Sequence, residues 1–339
     1  MPYTERMGNQ LLKLTQSGLY CPAGDFYIDP WRSVQEAVIT HGHGDHARWG
    51  CNHYICQEDS VPILKYRLGE GIAIESTPYR TPFKKKDAWV SFHPAGHILG
   101  SAQVRIEVGG KVAVVSGDYK LSPDSSCAPF EAVECDLFVT ESTFGLPIYR
   151  WENSAQIFEQ LVRWWQQNGE NNHPSLLFCY SLGKAQRILA SLPRWTDRKI
   201  YIHGSIAPIN HCYEERGILL APTEVVTQAD PKHDYSKDLI LAPTSAFRSG
   251  WMRRFKNLKT AFASGWMSVR GNKRRQGFDK GFILSDHADW NELILAVRAT
   301  CAKEVWVTHG QVEPFSRYLR EEFAIQAKPL KGFVQEDED

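Results

Sequence analysis

The chain lacks a surplus of either charge. Its 39 Lys and Arg balance 39 Asp and Glu, so a polyanion-binding surface must come from local clustering of cations rather than from net charge. Long apolar runs are also missing. No stretch approaches the roughly 20 residues a membrane span needs, and the opening MPYTERMGNQLLKLTQSGLY is polar and amphipathic, unlike a secretory signal. The lack of a membrane-spanning run and of a signal-like opening leads to the expectation of a cytoplasmic protein. The eight cysteines, at positions 21, 51, 56, 127, 135, 179, 212 and 301, form no CxxC pair and no dense framework. That excludes a zinc ribbon or a disulfide scaffold and suits packed thiols in a reducing compartment. There is no internal repeat, and the only biased tract is the acidic tail QEDED.

What is present is an ordinary globular composition. With 339 residues, 42% of them apolar and 23% charged, the chain can fill two domains, or one large core that carries an insertion. Short runs rich in Val, Ile and aromatics (DFYIDP, AVIT, WVSFHP, SAQVRIEV, KVAVVSGD, DLFVTEST, GFILSDH, EVWVTHG) stop at Gly, Pro, Asp or His and read as strands. Several of them deliver a His, Asp or Glu at the C-terminal end, where sheet enzymes place their chemistry. From Gly145 to about Gly265 the pattern changes. ENSAQIFEQLVRWWQQNGE has helical spacing from an Asn153 or Ser154 start, GKAQRILASLPRW continues it, and SLLFCYS, KIYIHG and DLILAPTS lie between as strands. This alternation predicts an inserted α/β domain over 146–265, with the main domain formed by 1–145 and 266–339.

The densest chemistry lies in AVITHGHGDHARWG. His41, His43, Asp45 and His46 form HxHxDH directly after a strand. In such a turn His41 and His43 can face one cation while Asp45 and His46 face its neighbour, and Gly42 and Gly44 let the backbone bend. Imidazole and carboxylate donors suit Zn²⁺, with Mn²⁺ or Fe as alternatives. Further donors stand at other strand ends beside glycines: His97 in PAGHILGS, Asp118 in VVSGDY and His309 in VWVTHG. The set closes if His41, His43 and His97 hold one metal, Asp45, His46 and His309 hold a second, and Asp118 bridges them. Such pairs sit about 3.5–4 Å apart and clamp both oxygens of an in-line displacement. Asp29 in FYIDPWR is left to orient a histidine through its ring N–H. His53, His93, His173, His203, His211 and His233 lack comparable surroundings.

The ordered series Asp29, HxHxDH, His97, Asp118 and His309 resembles the metallo-β-lactamase fold, an αββα sandwich with a dimetal site at the sheet edges, and the likeness runs nearly end to end. Glu141 in VTESTFG, the inserted segment and His287 in LSDHADW resemble the additional motifs of the β-CASP nucleases. The wider phrases GLYCPAGDFYIDPWR, ESTFGLPIYRW and SLGKAQRIL resemble the bacterial ligase-associated DNA exonucleases.

This resemblance implies phosphodiester hydrolysis with two divalent cations, Zn²⁺ or Mn²⁺, in DNA repair. It also implies a functional link to a DNA ligase and a helicase. Asp45, Glu141 and His287 would be the catalytic groups, with His287 as general acid and Glu141 hydrogen-bonded to its ring. Ser142 and Thr143 beside Glu141, together with Ser181, Gly183 and Lys184 at a strand-to-helix junction, would cradle a terminal phosphate. Digestion would then start from a 5′ end of single-stranded DNA.

Three basic clusters could track the rest of a strand: Lys84 to Lys86, Arg248 to Lys256 with Arg253 and Arg254, and Arg270 to Lys280. Trp251, Phe255 and Trp266 interleave with the last two. One feature points elsewhere. The cross-link-repair DNA members of the group tend to lack the final metal histidine, and His309 follows the RNA-processing pattern, so a β-CASP ribonuclease is the second reading. A small-molecule metallohydrolase would use the same ligands but has no need of the insertion or its basic flanks. A binding subunit without activity would have lost ligands.

Overall fold

The computed structural model describes residues 11–269 and 277–330. The expected basic stretch at 270–276 and the acidic tail at 335–339 lie outside these residues. The chain divides into two compact units: one takes residues up to Pro123, Ala128–Pro147 and Trp290 onward, the other Asp124–Cys127 and Ile148–Asp289.

Two sheets build the first unit. The six-stranded sheet follows chain order, β1 (Lys13–Thr15), β2 (Gly18–Cys21), β3 (Phe26–Ile28), β4 (Glu36–Ile39), β5 (His53–Gln57) and β6 (Ile74–Thr77). It is antiparallel up to β3 and parallel from there. β4, lying between two parallel neighbours, is covered on both faces, which is why its sequence Glu-Ala-Val-Ile is an almost unbroken apolar run rather than an alternating one.

The seven-stranded sheet uses β7 (Phe83–Lys85), β8 (Ala88–Pro94), β9 (Ala102–Val108), β10 (Lys111–Val115) and β11 (Leu137–Ser142), and takes its last two strands from the far end of the chain, β18 (Glu304–Gly310) and β19 (Gln326–Pro329). β11 pairs in parallel with β18 although residues 148–289 of the second unit lie between them in sequence.

One apolar cluster draws on both sheets. Leu19, Phe26, Val38 and Ile55 come from the first, and Phe92, Val104, Ile106, Val139 and Trp306 from the second, so the two sheets share a face. Each such side chain contributes about 1.5–3 kcal/mol on burial. On the other face of the first sheet, Leu64 and Leu68 of α1 (Val61–Leu68) pack with Ile39, Tyr54 and Cys56. Further on, α5 (Trp290–Ala299) contacts β11, and α6 (Val312–Phe323) contacts β18 and β19. α6 buries Phe315, Ser316 and Leu319, the helical spacing that puts one stripe against a sheet.

The second unit holds a parallel six-stranded sheet, in the order β14 (Thr223–Val225), β13 (Ile200–Ile202), β15 (Leu239–Ala242), β12 (Ser175–Phe178), β16 (Lys259–Ala263) and β17 (Lys280–Phe282). Its helices are α2 (Ser154–Glu170), α3 (Lys184–Ser191) and α4 (Ala207–Glu214). α2 starts where the sequence signals it, with the Asn153 side chain accepting from the Ala155 N–H at 2.8 Å. The expected limit at 265 falls short, because β17 pairs with β16 and carries the GFILSDH segment into this unit, which extends to Asp289. No helix among the described residues is long and apolar enough to cross a membrane.

Candidate metal centre

Five strands of the first unit bring donors to one edge. β3 ends one residue before Asp29 and β4 two before His41. β8 and β10 each end three residues short of a donor, His97 and Asp118, and β18 carries His309. The histidine loop is held from several sides. The His46 and Ala47 N–H groups both donate to the His43 carbonyl, at 3.3 and 2.9 Å, and Arg67 of α1 donates to the Gly42 carbonyl. Gly117, at φ +56°, passes so close to the first sheet that a Cβ there would stand 2.7 Å from Thr40 Cβ and Oγ1. This contact seats Asp118 beside the histidines.

His41, His43, His97 and Asp118 form one cluster. His43 Nδ1 lies 3.1 Å from His41 Nε2 and 3.0 Å from His97 Nε2, and Asp118 Oδ2 lies 3.5 and 3.8 Å from the same two Nε2 atoms. Donors spaced this way match the edges of a tetrahedron around an ion with metal–nitrogen bonds of about 2.0–2.1 Å. Burial, with the neighbouring imidazole of His46, holds the His41 pKa well below its ordinary value against the pull of Asp118. The shift favours the neutral form that ligation requires.

Asp45, His46 and His309 form a second cluster. His46 Nε2 is buried with no hydrogen-bond partner among the described residues, yet Asp118 Oδ2 is 3.4 Å away and Asp45 Oδ2 3.5 Å away. Burial alone would lower the His46 pKa, but the carboxylates of Asp45, Asp118 and Asp29 outweigh it and raise the value well above normal. Three carboxylates around one imidazole thus call for a positive charge, which a proton on the ring or a bound cation supplies. The His309 ring stacks on His46 with centroids 4.9 Å apart, and its pKa is lowered, by burial first and then by His46. His309 itself sits at φ +51° and Gly310 at φ +71°. A Cβ on Gly310 would lie 2.4 Å from the Ser142 carbonyl oxygen, so only glycine lets β18 pass β11 here.

The donor set therefore fits a pair of divalent cations. Asp29 stands behind it, at φ +43°, with Oδ2 2.7 Å from His46 Nδ1 and 2.6 Å from the Thr40 hydroxyl, and with Oδ1 accepting the Thr40 N–H at 2.8 Å. Thr40 Oγ1 also lies 3.1 Å from His41 Nδ1. Sequence reasoning missed Thr40, although its place at the strand end directly before the first histidine was the available signal.

Comparison with known proteins gives the same direction. A "Probable DNA ligase" of Opitutus terrae is 29% identical over 306 residues, covering 90% of this chain and 30% of that protein. An "RNase J-like protein" of Methanocaldococcus jannaschii is 25% identical over 204 residues, 52% of this chain and 48% of its own. "Endoribonuclease ysh-1" of Neurospora crassa is 30% identical over 128 residues, 36% of this chain and 14% of its own. These likenesses support the resemblance to the metallo-β-lactamase nucleases of the β-CASP group. The chain spans about a third to a half of the length of the first two relatives, 30% and 48%. Among solved structures, a protein of unknown function from Enterococcus faecalis shares the fold at a TM-score of 0.56 with 12% identity, over 81% of this chain and 75% of that one. No family model matches.

The β-CASP motif residues occupy varied surroundings. Glu141 is fully buried on β11, where its carboxylate accepts the Tyr119 N–H at 2.8 Å and the Thr143 N–H at 3.3 Å, bracing the chain next to Asp118. Ser142 Oγ donates to the His309 carbonyl, so this hydroxyl fixes a cluster residue instead of facing a phosphate. In the second unit, the His287 N–H donates to Ser285 Oγ at 3.0 Å, and its carbonyl accepts from Trp151 Nε1 at 3.0 Å.

The expected phosphate cradle needs correction. Lys184 is 2% exposed, with its ammonium 2.8 Å from Asp286. Arg187, equally buried, pairs with Asp286 at 2.9 Å and lies 3.4 Å from Asp124. Lys184 belongs to this buried ion cluster, because the first turn of α3 points its charges inward. Gly183, at φ +89°, gives its N–H to Gln186 Oε1 at 2.8 Å, and Ser181 Oγ meets Ser205 Oγ at 3.2 Å. Arg248, Arg253 and Arg254 are exposed. Two of them lie over aromatic rings, Arg248 over Phe247 at 5.0 Å and Arg254 over Trp251 at 5.5 Å.

Proposed function

We propose that the chain is a dimetal DNA exonuclease that works in DNA repair, built as an αββα sandwich with a β-CASP-like insertion. The observation that carries the choice of DNA is the breadth of the likeness to the Opitutus terrae ligase-named protein, 90% of this chain, against 52% and 36% for the two ribonuclease-named relatives. A functional association with a DNA ligase follows from the same observation.

When bound, two divalent cations at such a centre act as Lewis acids on water and phosphate. His41, His43 and His97 would hold one, Asp45, His46 and His309 the other, with Asp118 between them. The chain's own contribution is orientation. Asp29 holds His46 by its Nδ1 and, through Thr40, His41 by its Nδ1, which leaves both Nε2 atoms directed at the centre. Glu141 steadies Asp118 through the Tyr119 N–H. The proton needed by the departing oxygen is assigned to His287 in this proposal. Digestion from a 5′ end rests on the family resemblance, since the burial of Lys184 withdraws its support.

The second reading, an RNA-processing nuclease, is favoured by His309 and by the ribonuclease-named relatives. Digestion of single-stranded DNA and RNA, labelled at either end, with Zn²⁺ or Mn²⁺ added to metal-stripped protein, tests both. Release of mononucleotides from labelled DNA supports the proposal. Cleavage of RNA alone replaces it with the second reading, and no cleavage with either metal refutes both.

A further inference from the structure

Directly behind the histidine loop the chain reads Ala47-Arg48-Trp49-Gly50. Ala47 is 2% exposed and packs in the apolar cluster under α1, whereas Trp49, two residues on, is 77% exposed. Tryptophan is mostly buried in folded proteins, and leaving an indole in water forgoes one of the largest burial gains any side chain offers. The indole is not on a slack loop. Buried Tyr54 donates its hydroxyl to the Arg48 carbonyl at 2.8 Å and accepts the Cys51 N–H at 3.0 Å, so one ring clamps both ends of the turn. Asn52 then gives its N–H to the Val34 carbonyl at 3.0 Å, and Gly50 turns at φ +96°. In the preceding residue, Arg48 Nε is buried with no hydrogen-bond partner among the described residues.

We propose that Trp49 and Arg48 form a stacking subsite for an unpaired nucleobase of the strand held at the metal centre. An indole face accepts any base and selects no sequence, and a guanidinium next to it meets the adjoining phosphate, the combination that single-strand grooves use. The position is suited to this, since Trp49 lies three residues after His46, on the same braced segment. The inference rests on the nuclease reading above and adds to it the group that grips a base.

The test is equilibrium binding of fluorescent single-stranded DNA and RNA to metal-stripped protein, where cleavage does not intervene. Trp49→Ala should weaken binding of the single strand about five- to a hundredfold, the range found for loss of one base stack, and Trp49→Phe should restore most of it. An abasic nucleotide moved along the oligonucleotide should reveal one position where the wild type loses affinity and Trp49→Ala does not. Loss of DNA binding alone, or of RNA binding alone, identifies which strand uses the subsite. Unchanged affinity in Trp49→Ala, or an abasic profile identical to the wild type, overturns the proposal while leaving the nuclease reading intact. Wild type that binds neither oligonucleotide refutes that reading itself. A variant altered only in sedimentation assigns the indole to a contact between copies of the chain and also overturns the subsite.

Discussion

Asp29 reaches His46 from behind, carboxylate oxygen to ring nitrogen at 2.7 Å, while the same carboxylate holds Thr40 by both its N–H and its hydroxyl. This relationship converts a strand end into a fixed mounting for an imidazole, from a residue that belongs to neither cluster. Replacing Asp29 by Ala should lower metal affinity about 10- to 100-fold, measured by competition with a chromogenic chelator. Affinity equal to the wild type would show that the loop holds His46 unaided.

Asp118 lies within 3.8 Å of three imidazoles drawn from both clusters. Asp118→Ala and His41→Ala should therefore abolish hydrolysis. A second readout is thermal. A cation at a hundred times its Kd stabilises a fold by about 2.7 kcal/mol, so added Zn²⁺ or Mn²⁺ should raise the melting midpoint of the wild type and leave that of Asp118→Ala where it was. Equal shifts in the two proteins would place the cation elsewhere.

Lys184 and Asp286 form a buried pair at 2.8 Å. Removing one partner of such a pair strands the other charge and typically costs about 3–5 kcal/mol. Lys184→Met should show a loss of that order in denaturant unfolding, with any preference for a 5′-phosphate over a 5′-hydroxyl unchanged. A variant of full stability that no longer distinguishes the two ends would restore Lys184 to the phosphate role.

Gly117 is pressed against Thr40 at positive φ. Gly117→Ala adds a methyl group where 2.7 Å is available and demands a backbone conformation alanine resists. Stability should fall by more than about 1 kcal/mol, and metal affinity should fall with it, since the intrusion pushes on the residue that carries Asp29's hydrogen bonds. Calorimetric metal titration of the variant checks the second effect, and wild-type affinity would separate the glycine from the centre.

Much of this centre was legible in the sequence because its donors announce themselves locally. HxHxDH after an apolar run, and His97, Asp118 and His309 beside glycines at other strand ends, are short-range patterns, and the structure gathers all of them at one edge of the first unit. The limits are equally physical. Lys184 looks like a helix-start cation in its own stretch, and its partner Asp286 lies far along the chain, so no local pattern tells a buried pair from an exposed charge. The segment GFILSDH reads as a strand in any sheet; only its pairing with β16 assigns it to the second unit. Thr40 and Arg67 matter through hydrogen bonds that composition and periodicity do not encode.

The parallel pairing of β11 with β18 has a consequence for biosynthesis. Six of the seven cluster donors have been translated by the time the ribosome reaches β11, but the strand that completes the sheet, and His309 with it, appears only after the second unit has been made. A nascent or prematurely terminated chain therefore carries an open sheet edge and an incomplete donor set. Long-range pairing of this kind is slow to close, so the second cluster is the last part of the centre to be assembled.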